Sequence, residues 1–244
     1  MKGNVFVVGT GPGDMMDMTY RAREALSLSD LICGYPVYVD LIRDLYPDKE
    51  YYVSGMGQEL ERCEYALRYA QTGCKTVSVI SSGDSGIYGM AGPVLELSER
   101  YGDVEIEIVP GITAAISAAS VLGAPIMNDY VTLSLSDLMT PFDVIMRRLK
   151  AAAEGDFVIC IYNPMSRKRR DHLKIACDLL MEYKSSDTVC GYVQNIGRSG
   201  ENAGILSLRE LRDMEADMFT TIIVGSADTY SKNGRMITGR GYRV

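Results

Sequence analysis

Short apolar runs that end at glycine, each followed by a stretch of helical composition, constrain the fold of this chain more than any other feature. Val5-Phe6-Val7-Val8 runs into Gly9, Leu31-Ile32-Cys33 into Gly34, Thr76 to Ile80 into a glycine-rich loop, and Val104 to Val109 into Pro110-Gly111 before an Ala-rich helix. Between and after these runs, Thr19 to Leu28, Val37 to Leu45, Glu59 to Gln71 and Pro93 to Arg100 read as helices. In the third, Leu60, Cys63, Leu67 and Ala70 fall on one stripe. Strand–helix alternation of this kind predicts parallel strands joined by right-handed crossovers.

The second half has a different rhythm. Val131-Thr132-Leu133-Ser134-Leu135 alternates apolar and polar residues, as a half-exposed strand does. Phe157 to Ile161, Thr188 to Val193, Gly204 to Ser207 and Thr220 to Val224 are further strands. Phe142 to Ala153, Arg169 to Tyr183 and Leu208 to Met214 read as helices. Strands are denser here and some must be antiparallel, so a mixed sheet is expected. Gly123-Ala124-Pro125 interrupts the pattern and places the boundary between residues 1–122 and 123–244. The predicted fold class is α/β, with two α/β domains: an N-terminal, mostly parallel sheet and a C-terminal mixed one.

Composition excludes several function classes. The 244 residues carry 25 Lys+Arg against 32 Asp+Glu, a net charge of −7, which is a poor basis for neutralising nucleic-acid phosphates. No apolar run approaches the roughly 20 residues that cross a bilayer, and the N-terminus lacks a signal-peptide core, so no membrane partner and a cytoplasmic location are expected. The six cysteines include no C-x-x-C pair, and His172 is the one histidine, so no bound metal is expected. The cysteines read as small buried hydrophobes of a reducing compartment.

Ligands of parallel α/β sheets bind beyond the carboxyl ends of the strands, which directs attention to three loops. Gly9-Thr10-Gly11-Pro12-Gly13-Asp14 follows the first strand but does not suit a dinucleotide. Pro12 removes an amide donor, Asp14 stands where a small residue is needed, and Gly34-Tyr35-Pro36 replaces a ribose-binding acid. Ser81-Ser82-Gly83-Asp84-Ser85-Gly86-Ile87-Tyr88-Gly89 offers backbone groups and one carboxylate, a set better matched to a cation than to a phosphate. Its Gly-Asp-Ser-Gly also holds a potential nucleophilic serine. A serine hydrolase needs a His base, however, and His172 lies on what reads as a charged helix face. Pro110-Gly111-Ile112-Thr113-Ala114-Ala115 turns a strand sharply into a helix and by itself reads as a packing feature.

Taken together and in order, Gly-Thr-Gly-Pro-Gly-Asp at 9–14, Gly-Asp-Ser-Gly-Ile-Tyr-Gly at 83–89 and Pro-Gly-Ile-Thr-Ala at 110–114 resemble the tetrapyrrole methylase superfamily, the class III S-adenosylmethionine (SAM) methyltransferases. Leu133-Ser134-Leu135-Ser136-Asp137-Leu138-Met139-Thr140-Pro141 and Ile161-Tyr162-Asn163-Pro164-Met165-Ser166 are similar to one branch. That branch methylates ring carbon 17 of precorrin-3B or cobalt-factor III, with ring contraction, on the route to cobalamin. The resemblance spans nearly the whole chain. It implies a cleft between two α/β domains as the active site, a homodimer, and a tetrapyrrole polycarboxylate substrate, with or without cobalt. SAM contacts carry over to Pro12, Ser82, Gly83, Asp84, Ile87, Thr113, Ala114, Tyr162 and Asn163, and more weakly to Gly197 and Thr221.

The substrate's rim of carboxylates calls for local cations. Arg167 and Arg169, in Arg167-Lys168-Arg169-Arg170, are the first candidates, and the alternative is a solvated helix face. Ser134, Ser136, Asp137 and Thr140 could line the substrate trough, although Thr140-Pro141 could equally start the following helix. Where the branch would be expected to carry His-Asp-Phe, this chain has Asn128-Asp129-Tyr130. Asn takes no proton near neutrality, which leaves Asp129, Asp137 and Ser136, or a substrate carboxylate, as candidates for the acid–base and positioning work. The alternatives are a tetrapyrrole methylase acting on another carbon, a diphthine synthase-like enzyme, a non-catalytic ligand-binding module, and the serine hydrolase.

Overall fold

A computed structural model describes residues 2–242 apart from Cys74, Asp103 and Arg167. Contacts divide the chain into two units, Met1–Ala114 and Ala115–Val244.

In the first unit five strands form one sheet: β1 (Gly3–Gly9), β2 (Leu31–Gly34), β3 (Glu50–Val53), β4 (Thr76–Ser81) and β5 (Val104–Val109), in the order β3-β2-β4-β1-β5. Every pairing is parallel. Helices α1 (Tyr20–Leu28), α2 (Pro36–Asp40), α3 (Glu59–Gln71) and α4 (Ala91–Ser98) connect the strands. A parallel sheet needs cover on both faces, and alternation along β1 shows it. Val5 and Val7 pack with Leu67, Val79 and Val94, while Val8 packs on the other side with Leu26, Ile32 and Ile80. Because β4, β1 and β5 are neighbours, the loops at their carboxyl ends emerge side by side at one end of the sheet.

The expected stripe of α3 needs one correction. Cys63, Leu67 and Ala70 are buried, but Leu60 is 59% exposed and Arg62 is buried instead. The guanidinium is accommodated because Nε donates to Ser54 Oγ and Nη2 donates to the carbonyls of Ser54 and Gly55.

All but the first residue of α5 (Ala114–Leu122) belongs to the second unit, so the observed division falls at the start of this helix, where the sequence pattern places it after Leu122. Two contacts tie α5 to the rest of this unit. The Ala115 amide donates to the Tyr162 hydroxyl, and Leu122 lies where any side chain on Gly191 would collide with it. The Gly123–Ala124 segment, read from the sequence as an interruption, is the short strand β6. The remaining strands are β7 (Tyr130–Ser134), β8 (Val158–Tyr162), β9 (Val189–Gln194), β10 (Asn202–Ser207), β11 (Thr220–Val224), β12 (Thr229–Lys232) and β13 (Arg235–Thr238). The larger sheet runs β10-β9-β11-β8-β7, with β7 and β8 parallel and the other pairs antiparallel, and β12-β13-β6 forms a smaller one. Helices α6 (Phe142–Glu154), α7 (His172–Leu180) and α8 (Leu208–Arg212) complete a core that includes Leu149, Ile159, Ile161, Leu173, Leu180 and Ile222.

The helix expected from Arg169 starts only at His172. Reciprocal backbone hydrogen bonds between Ser166 and Arg169 close a tight turn ahead of that helix. Thr140 does not cap α6: the cap position is Pro141, with no side-chain hydrogen bond to the helix. Among the described residues no helix is long and apolar enough to cross a membrane.

Candidate functional site

In the first unit the three motif loops meet through their backbones. Gly11 and Gly83 exchange hydrogen bonds, N–H to carbonyl, at 3.1 and 2.7 Å, and Thr10 donates to the Ser81 carbonyl from both its amide and its hydroxyl. The third loop approaches so closely that a Cβ on Gly111 would fall on the Gly83 carbonyl oxygen and 2.7 Å from the Gly9 carbonyl carbon. Real side chains do not tolerate such distances to main chain, so only glycine fits there. Thr113 and Pro12 are buried beside these turns, Ser82 is half-buried, and Ile87 is 40% exposed.

Asp84 ties the loops together. One carboxylate oxygen accepts from the Gly86 amide at 2.8 Å and the other from the Gly111 amide at 2.9 Å. Among the described residues Asp84 enters no ion pair. A partly buried carboxylate whose charge is met only by amides suits a sulfonium or ammonium ligand, so the donor set fits SAM. The other two readings of these loops lose their support. Asp14 caps a short 3₁₀ turn by accepting from the Met16 amide. Ser85 is fully buried and donates to the Val109 carbonyl, which leaves no exposed nucleophile in Gly-Asp-Ser-Gly.

In the second unit the motif residues are joined by side chains. Tyr162 ends β8, and its hydroxyl accepts from the Ala115 amide at 2.8 Å, meeting an otherwise unpaired donor at the start of α5. Asn163, at φ +50°, donates through Nδ2 to Ser134 Oγ at 3.1 Å, and the same oxygen accepts from the Ser136 amide. The Leu135 amide donates to the Tyr162 carbonyl. Two motifs far apart in sequence therefore form one hydrogen-bonded unit.

Arg169 belongs to this unit too. Its side chain is only 13% exposed, with Nε donating to Ser166 Oγ, Nη1 3.5 Å from the Leu135 carbonyl, and Nε 3.8 Å from Asp137 Oδ1. It is an internal clamp rather than a freely extended cation. Arg167 lies outside the described residues. Asp129 is exposed, Thr140 half-buried, and Asp137 about one-third exposed. The Gly197 amide donates to Glu201, and Thr221 is buried in β11.

The sequence reading missed His172. Its side chain is 16% exposed, its ring lies 4.2 Å from that of Phe142, and its Nδ1 is 3.0 Å from the Leu135 carbonyl oxygen. The charged residues around it suggested a solvated face. The available counter-signal was the ring's place at the start of a helix just beyond the Arg169 turn.

The described cysteines, Cys33, Cys63, Cys160, Cys177 and Cys190, are buried and unpaired. Burial pushes the Cys63 thiol up to about 11 and those of Cys160 and Cys177 to about 12, with Cys33 and Cys190 also raised. None offers a thiolate at neutral pH. Cys74 lies outside the described residues.

The family described as Tetrapyrrole (Corrin/Porphyrin) Methylases matches residues 4–212. The chain is a tetrapyrrole methylase. This methylase is 48% identical over 239 residues to the probable cobalt-factor III C(17)-methyltransferase of Salmonella typhimurium (strain LT2), covering 98% of this chain and 99% of that protein. It is 38% identical over 233 residues to the precorrin-3B C(17)-methyltransferase of Sinorhizobium sp, covering 94% and 91%. The crystal structure of the methyltransferase CobJ superposes on it with a TM-score of 0.88 at 32% identity, covering 97% of this methylase and all of that chain.

Proposed function

We propose that this tetrapyrrole methylase transfers a methyl group from SAM to carbon 17 of a corrin precursor, precorrin-3B or cobalt-factor III, with contraction of the macrocycle. The observation that carries this reading is the 48% identity, over almost the full length of both chains, to a protein named for that reaction. The wiring of Leu133–Pro141 to Tyr162-Asn163 supports it, because the two long motifs of the resemblance hold each other in place.

SAM supplies a methyl group bearing the charge of its sulfonium. Asp84, held by the Gly86 and Gly111 amides, attracts that charge, and Pro12, Ser82, Gly83, Ile87, Thr113 and Ala114 shape the loops around it. Tyr162, Asn163, Gly197 and Thr221 are the cofactor residues of the second unit. Ser134, Ser136, Asp137 and Thr140 face the tetrapyrrole, with Arg169 holding Asp137 and Arg167 meeting a carboxylate of the substrate rim. The protein's main contribution is to align a nucleophilic ring carbon with the S–CH₃ axis away from water.

The test is incubation with SAM and either precorrin-3B or cobalt-factor III, then product mass and ¹³C NMR with labelled methyl donor. One added methyl on carbon 17 is the expected result. Methylation elsewhere assigns the chain to another tetrapyrrole reaction, and binding without turnover makes it a ligand-binding module.

A further inference from the structure

Methyl transfer of this kind leaves a charge to be discharged. The S–CH₃ bond breaks with its electrons staying on sulfur, and the new C–CH₃ bond uses an electron pair of a neutral macrocycle, which is left with one positive charge. A proton must then leave the macrocycle, and some group must accept it. Asn128 cannot do so. The second unit contains a group that can.

The Leu135 carbonyl oxygen can only accept, so the Nδ1 of His172, 3.0 Å away, must carry the ring's hydrogen. This fixes the neutral tautomer and leaves Nε2 bare. Nε2 lies 3.7 Å from Asp137 Oδ2, beyond direct hydrogen-bond length, so two acceptors face each other with room for a proton on the ring. The ring is held in that orientation by Phe142 of α6, whose centroid is 4.2 Å from that of the imidazole. Among the described residues, Asp137 and Arg169 lie beside the ring, and Arg169 shares both acceptors with His172. The Leu135 carbonyl and Phe142 thus orient the base, and Asp137 lies where an imidazolium would meet a carboxylate.

We infer that His172 is the proton acceptor of the methylation, with Asp137 as the carboxylate beside its charged form. In this step an N–H or C–H bond of the methylated macrocycle breaks and its electron pair cancels the ring charge. The proton forms an N–H bond at Nε2, leaving an imidazolium beside the Asp137 carboxylate. The role rests on the proposed corrinoid methyltransferase activity, since only a substrate over Ser134–Asp137 brings its protons to Nε2.

Because His172 is the single histidine, ¹⁵N labelling of histidine gives one unambiguous ring spectrum. The expected neutral form has hydrogen on Nδ1 and a bare Nε2. His172→Asn keeps a donor for the Leu135 carbonyl but removes the base. Its kcat on precorrin-3B or cobalt-factor III should fall about 10²-fold, with the substrate KM and the affinity for S-adenosylhomocysteine unchanged within about threefold. A ring with hydrogen on Nε2, or a His172→Asn variant with wild-type kcat, overturns the assignment while the methyltransferase reading stands. A wild-type protein that methylates neither corrinoid removes both.

Discussion

The two motif-bearing regions are held together by opposite means. In the first unit the loops after β1, β4 and β5 touch main chain to main chain, and the side chains that tie them, Thr10, Ser82, Asp84 and Ser85, bond to backbone groups. In the second unit the segments around Ser134, Tyr162 and Arg169 are joined mostly by side chains: a phenol, an amide, a guanidinium and an imidazole. A backbone platform responds to added volume, because there is no space to yield. A side-chain network responds to lost chemistry, because each partner left behind is an unmet polar group.

The sharpest way to break that contrast is Gly111→Ala. A methyl there meets the backbone of Gly83 and Gly9, so a loss of about 3 kcal/mol in unfolding free energy and a collapse of S-adenosylhomocysteine binding are expected. Denaturant unfolding and calorimetry measure the two, and a variant with wild-type values of both would remove the platform from the account.

Next in size is Asp84→Asn, which keeps an acceptor for one glycine amide but removes the charge. Calorimetry should show SAM binding weakened about tenfold, about 1.4 kcal/mol, and the uncharged thioether S-adenosylhomocysteine weakened much less. Equal losses would mean that Asp84 does not meet the sulfonium.

Tyr162→Phe tests the side-chain network at its simplest point. It takes the acceptor from the Ala115 amide at the start of α5, and a destabilisation of about 1 kcal/mol is expected from denaturant midpoints. No change would mean that water replaces the hydroxyl there.

A further effect, confined to alkaline pH, belongs to neither network. Thiols with raised folded values lose protons more readily when the chain is unfolded. Cys63, at about 11, and Cys160 and Cys177, at about 12, therefore contribute stability that is fully present below the unfolded value of 9.0 and lost as pH rises through the folded ones. Unfolding measured from pH 8 to 11 should show this decline, and alkylation of these three thiols at pH 8 should require denaturant.

How legible each part is in the sequence depends on where its information resides. The strands β1 and β4 announce themselves because a parallel strand covered on both faces is rich in apolar residues, and the edge strand β5 by its alternation of Val and Ile with exposed Glu105 and Glu107. β3, with Glu50-Tyr51-Tyr52-Val53, is a sheet edge with half-exposed residues and carries no such run. The β12–β13 hairpin has a usable signal that the strand pattern alone passes over. Asn233-Gly234, both at positive φ, separates Thr229–Lys232 from Arg235–Thr238, and this pair is the strongest short-range mark of a two-residue turn.

The candidate site divides in the same way. The glycine loops are visible because closely spaced glycines at strand ends mark a backbone that something must approach closely. The partners of Arg169 and His172 are not, because their common acceptors, Leu135 and Asp137, lie more than thirty residues earlier in the chain. Only the adjacency of β7 and β8 brings them together.

The glycine contact at residues 9, 83 and 111 has an evolutionary corollary. On the function proposed above, a binding surface made of main chain has no alphabet of substitutions through which to adapt, so a lineage carrying it would inherit its methyl-donor preference as a fixed trait. New specificities would then arise in the second unit, where the proposed recognition groups are side chains that point mutations can exchange one at a time.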